Sequence, residues 1–163
     1  MTDPTIEEAD RLAHETEQRL PMFVYGTLRP GHGNSRLWRG MAEAKYDGEC
    51  YVLGYRLVGS GFPYAVPAAT AQTVGTLIFP HAEHDEHVRQ HMDWLEGYPS
   101  HYTRVVTAVV TPDGYILAWI YTPADGMAGG REVRQDDNGR FDWDLGTKAR
   151  DDEEYVKAGW WDR

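Results

Sequence analysis

Glycine and proline cut the chain between residues 22 and 121 into short apolar runs, and this spacing restricts the fold more than any other feature. Runs of strand length fall at 22–25, 49–58, 62–67, 73–79, 103–111 and 115–121, each bounded by turn-forming residues. The last two flank Pro112-Asp113-Gly114, which predicts a hairpin. Residues 82–96 carry a helical pattern that Gly97 and Pro99 would stop. Many short strands with one or two helices predict an α+β fold: a single domain of curled mixed β-sheet, or a small β-barrel, with one or two flanking helices. Asn34 or Ser35 is placed to cap a short helix through Leu37 and Trp38. An N-terminal helical extension is expected over 4–20, where Pro4 suits the first turn and Pro21 ends the pattern. Beyond Pro123 the chain turns polar and Gly-rich; 124–147 reads as loop and 148–158 as a short helix. The expected divisions are thus 1–21, 22–123 and a polar segment 124–163 packed on or trailing the domain.

Composition narrows the function classes. Twenty-six acidic residues against sixteen basic ones give a formal charge of -10, and such a surface repels phosphate. Nucleic acid and anionic membranes are therefore not expected partners. With one cysteine, Cys50, no intrachain disulfide forms, and its place in a strand-like run reads as a small buried hydrophobe. The acidic first residues are unlike a secretory signal, and no apolar run approaches the roughly 20 residues needed to span a bilayer, so a cytoplasmic location is expected.

Several motifs fail. Gly26-Thr27-Leu28-Arg29-Pro30-Gly31-His32-Gly33 has the glycine spacing of a P-loop but lacks the Lys and the Ser or Thr that must follow. No serine-hydrolase elbow is present. His81, His84, His87 and His91 fall within eleven residues, and the last three share a helical face that could hold zinc or nickel. Interleaved Glu83, Asp85, Glu86, Arg89 and Gln90 favour a solvated face instead, and no metal is expected.

Two segments carry chemistry. In the first, a strand ends in Tyr25-Gly26-Thr27-Leu28, where successive backbone N–H groups at a turn form a concavity suited to a carboxylate. In the second, Glu96 closes the helical pattern beside Trp94, Leu95 and Tyr98. A carboxyl group among such side chains loses solvation, and its pKa rises toward the range where general acid/base catalysis works best. Asp93, on nearly the same face, reads as structural, bonded to Arg104 or to a backbone amide.

Together, Phe23-Val24-Tyr25-Gly26-Thr27-Leu28-Arg29-Pro30-Gly31 and Met92-Asp93-Trp94-Leu95-Glu96-Gly97-Tyr98-Pro99-Ser100-His101-Tyr102-Thr103-Arg104 resemble the signatures of gamma-glutamylcyclotransferase-like (avirulence-induced-gene-like) proteins. The resemblance covers about 22–123. It implies that Glu96 is the catalytic acid/base and that Tyr25, Gly26, Thr27 and Leu28 hold substrate. Tyr102 would shape the pocket, with Asp93 and Arg104 as structural support. It further implies a small-molecule gamma-glutamyl substrate, release of 5-oxoproline, and no cofactor. A non-catalytic binding protein of the same fold is the alternative, and a metal-binding histidine helix a more remote one.

Overall fold

A computed structural model describes residues 20–59, 63–124 and 131–147. Five strands close a barrel: β1 (Met22–Val24), β2 (Ala42–Val58), β3 (Tyr64–Pro80), β4 (Tyr102–Thr111) and β5 (Gly114–Pro123), in the order β1-β3-β2-β4-β5. Most neighbours run antiparallel, but β1 pairs with β5 in parallel through Met22↔Trp119 and Phe23↔Ile120, which makes the sheet mixed. Helix α1 (Asp85–Glu96) packs on the barrel, and a short α2 (Trp143–Thr147) follows late in the chain. The predicted α+β small barrel is the observed architecture.

Side-chain alternation explains why β1 is buried on both faces. Phe23 points to one core cluster with Cys50, Val52, Leu57, Leu77, Val109, Ala118 and Ile120. Met22 and Val24 point to a second cluster, where Ile78, Tyr102 and Tyr121 meet Val88 and Met92 of α1. Cys50 belongs to the first cluster; its thiol donates to the Gly75 carbonyl at 3.3 Å, and burial pushes its pKa up to about 12. At neutral pH it is a protonated packing group.

Several local expectations need correction. Strands β2 and β3 are 17 residues each, longer than the runs at 49–58, 62–67 and 73–79. The polar stretch 43–49 is taken up by a register shift between Lys45 and Cys50, and a second shift lies between Leu53 and Tyr55. The short helix near Ser35 is a 3-10 turn over Gly33–Leu37 preceded by His32, which makes no side-chain cap bond. The segment 131–147, expected as plain loop, is a strap seated on the barrel. Val133 N–H donates to the Leu57 carbonyl at 2.9 Å; Phe141 N–H donates to the Gln72 carbonyl of β3, and the Phe141 carbonyl accepts from Val74 N–H, both at 2.8 Å. Val133, Phe141 and Trp143 enter the first core cluster, and Trp143 begins α2. The expected helices at 4–20 and 148–158 lie outside the described residues, apart from Leu20. Among the described residues no helix is long and apolar enough to cross a membrane.

Candidate active site

Helix α1 delivers one half of the site. Gly97, in the left-handed region at φ 65°, ends the helix, with the N–H groups of Gly97 and Tyr98 bonded to the Trp94 and Asp93 carbonyls. Only a residue that tolerates positive φ turns the chain so sharply here. Glu96 is thereby fixed as the last helical residue. Burial, followed by the nearby Asp93 carboxylate, raises its pKa to about 7. Part of the residue's surface still reaches solvent. A carboxyl balanced between its two protonation states at neutral pH can both accept a proton and return it.

The groups around Glu96 differ from those its sequence neighbours imply. Trp94 is 78% exposed and Tyr98 39% exposed, so neither is a buried ring. Positions 94 and 96 lie on nearly opposite sides of a helix, since each residue turns it by about 100°. The rings that feel its charge belong to the barrel. Tyr25, Tyr102 and Tyr121 are all buried, and after desolvation the negative charge of Glu96 is among the causes that raise each of their hydroxyl pKa values.

These tyrosines are anchored. The Tyr25 hydroxyl donates to the Tyr121 carbonyl at 2.6 Å and accepts from Ala65 N–H at 3.4 Å. Tyr102 donates to the Pro63 carbonyl at 2.8 Å, and its ring stacks on Tyr64 at 5.3 Å between centroids. Tyr121 donates to Asp93 Oδ1 at 2.6 Å, while Arg104 lies 3.5 Å from Asp93 Oδ2. The Arg104 guanidinium sits over the rings of Tyr98 and Trp119, 4.7 and 4.9 Å from their centroids. Asp93 thus has the Arg104 partner expected of it, plus Tyr121, which the sequence did not single out. Tyr121 lies inside an apolar hairpin strand, where nothing local marks it.

The glycine-rich turn supplies the other half. The Arg29 N–H closes a turn onto the Gly26 carbonyl at 3.0 Å. Asn34 Nδ2 donates to Thr27 Oγ1 at 2.8 Å, and the Trp38 indole donates to the Leu28 carbonyl at 2.7 Å. The N–H groups of Gly26, Thr27 and Leu28 donate to no acceptor among the described residues. Gly26 also has a packing role: a Cβ there would lie 2.6 Å from Pro63 Cγ. Tyr25, at the head of the turn, feels the negative charge of Glu96.

The histidine face behaves differently. His91 Nδ1 is 2.8 Å from the His87 carbonyl oxygen, and both residues are exposed. Among the described residues no group of three or more His, Cys, Asp or Glu side chains is arranged to hold a metal ion.

A closed five-strand mixed barrel carrying one main helix, with a desolvated carboxyl at the end of that helix, defines a small α+β barrel protein. The chain belongs to the gamma-glutamyl cyclotransferase, AIG2-like family, whose model matches residues 22–145 and so extends past Pro123 into the strap. No curated protein sequence matches the chain. Among solved structures, an uncharacterised protein of Pyrococcus horikoshii shares the fold with a TM-score of 0.57 and 21% identity, covering 82% of this chain and 98% of that one. YkqA of Bacillus subtilis gives 0.58 and 19%, covering 86% of this chain and 51% of YkqA. The ytfP protein of Escherichia coli gives 0.52 and 23%, covering 76% and 96%. At these identities the likeness is one of fold.

Proposed function

We propose that the protein is a gamma-glutamyl cyclotransferase that releases 5-oxoproline, with Glu96 as the proton carrier. The observation that carries this reading is the Glu96 carboxyl, raised to about 7 by burial and grouped with Tyr25 at the head of the turn. The N–H groups of Gly26, Thr27 and Leu28 would hold the substrate α-carboxylate and point the α-amine at the γ-carbonyl. Ring closure is intramolecular, so orientation removes much of its barrier. A bond forms between the α-nitrogen and the γ-carbon, and the γ-amide C–N bond breaks. The α-nitrogen sheds two protons in passing from ammonium to lactam N–H, and the departing nitrogen gains two in becoming an ammonium. Glu96 can carry both in turn, and Tyr102 would wall the pocket. The reading is tested by a panel of gamma-glutamyl amino acids and gamma-glutamyl amines scored for 5-oxoproline. Release from at least one supports it; silence across the panel favours a non-catalytic binder.

The ionised carboxylate is the acting form, so activity should fall as Glu96 takes up a proton. We expect kcat/KM to lose about tenfold per pH unit below an apparent pKa near 7. An acid limb in the ordinary carboxylate range would remove Glu96 from the role. Asp93→Asn deletes the second cause of the shift while an amide oxygen can still accept from Tyr121. The acid limb should then move to lower pH yet stay above the ordinary carboxylate range, because burial remains. Superimposable profiles for variant and parent would deny Asp93 this influence.

A further inference from the structure

Arg29 follows directly on the turn and is the cation that sequence logic would offer to a substrate carboxylate. The structure directs it elsewhere. Its side chain is 4% exposed and faces carboxylates from two other parts of the chain. Nη1 donates to Asp142 Oδ1 at 2.9 Å, and Nη2 lies 3.3 Å from Asp144 Oδ2 and 3.7 Å from Asp47 Oδ1. Asp47 is itself held by the Thr76 hydroxyl at 2.7 Å. Three residues further along, His32 Nε2 lies 2.6 Å from Asp144 Oδ1. Two side chains of the glycine-rich loop are therefore tied to Asp142 and Asp144 of the strap.

Neither end of this tie is loose. The strap is seated by Phe141 and Trp143 in the core and by backbone bonds to β3. The Arg29 N–H closes the turn onto Gly26, so fixing Arg29 fixes the peptide groups of residues 26–28. A buried guanidinium needs anionic partners, and removing them frees it to seek others.

We propose that Arg29 is a positioning residue: clamped by Asp142 and Asp144 of the strap, it holds the 25–28 turn in its ligand-binding shape and so governs affinity for the substrate carboxylate. This rests on the function proposed above for the turn. The clamp acts on binding and leaves proton transfer at Glu96 to the helix end, so its loss separates KM from kcat.

The test compares the full chain with Asp142→Asn/Asp144→Asn and with Glu132→Gln, a substitution elsewhere on the strap at an exposed residue paired with Arg56. Steady-state kinetics would use whichever gamma-glutamyl compound the panel shows the parent to cleave. Amide hydrogen exchange would be followed in parallel without substrate. We expect the double variant to raise KM about tenfold with kcat within about twofold. Exchange at the Arg29 N–H, whose bond to the Gly26 carbonyl closes the turn, should accelerate about tenfold or more while β3 and β4 keep the parental rate. The Glu132→Gln protein should match the parent in both. If the double variant does not fold, Asp144→Asn alone, which keeps the 2.9 Å contact to Asp142, should show the same changes in smaller measure. Parental KM and exchange in a folded variant would overturn the proposal, as would uniformly faster exchange throughout the barrel. If the parent cleaves no compound of the panel, the functional reading fails, and the exchange comparison still decides whether the clamp orders the turn.

Discussion

Glu96→Gln should fold and lose turnover by about three orders of magnitude, because an amide can neither take the proton from the α-ammonium nor deliver one to the departing amine. The substitution is close in size and the site is only partly closed to solvent, so packing offers little reason for failure. Stability gives an independent control. The folded-state pKa of Glu96 is about 7, above the ordinary value of 4.5. A carboxyl raised in this way favours the folded state at low pH, and that contribution is lost as pH rises from the unfolded value through about 7. At pH 8 the parent carries a charged carboxyl that burial disfavours, and the glutamine variant does not. The variant should therefore melt at the same temperature as the parent or higher at pH 8. A variant that keeps parental turnover would end the proposed role. One that loses turnover together with its fold would leave the comparison to the pH profile of the parent.

Gly75→Ala should be the most damaging small substitution in the barrel. Gly75 lies on β3 directly against β1. A Cβ there would fall 2.5 Å from Phe23 Cζ and nearer still to the Val24 carbonyl oxygen. The ring could shift only into a core that is already filled, since Phe23 is 1% exposed. The carbonyl belongs to the backbone and cannot move without moving β1. Overpacking of this kind costs about 3 kcal/mol, and more where backbone must give. Because β1 leads directly into Tyr25 and Gly26, any surviving protein should also bind substrate more weakly. Denaturant unfolding is the measurement. A loss below about 1 kcal/mol would mean that β1 yields more readily than its burial implies.

How much could be read from the chain depended on how local each signal was. Helix 85–96 and its stop were legible because apolar spacing, Glu96 and Gly97 lie within one continuous stretch. The β4–β5 hairpin was legible for the same reason, through Pro112-Asp113-Gly114. The true extent of β2 was hidden, since Glu43, Lys45, Asp47, Gly48 and Glu49 give no apolar run; residues 42–45 are carried by pairing with β3, and 46–49 fall in the irregularity before Cys50. The parallel pairing of β1 with β5 joins residues far apart in the chain, and no local pattern reports it. The strap was missed because its three anchors, Val133, Phe141 and Trp143, stand among polar residues and glycines.

The site was legible to a similar degree. Glu96 and the 25–28 turn stand out by residue type and order, and the resemblance adds Tyr102, while Tyr121 carries no local mark. Trp94 and Tyr98 are its neighbours along the chain, whereas the charge of Glu96 is felt by Tyr25, Tyr102 and Tyr121, which lie far from it in sequence or on other elements. Likewise Arg29 was visible as part of a motif, and its partners Asp142 and Asp144, more than a hundred residues later, were not.

Direct titration of the Glu96 side chain tests the central claim most closely. With glutamate labelled by carbon-13 at the carboxyl, the resonance absent from the Glu96→Gln spectrum identifies Glu96, and its shift can be followed from pH 4 to pH 9. The expected midpoint is near 7, well apart from the bulk of the glutamates. A midpoint among those of the surface glutamates would contradict it, because a carboxyl that solvated could not serve as the proton carrier proposed here.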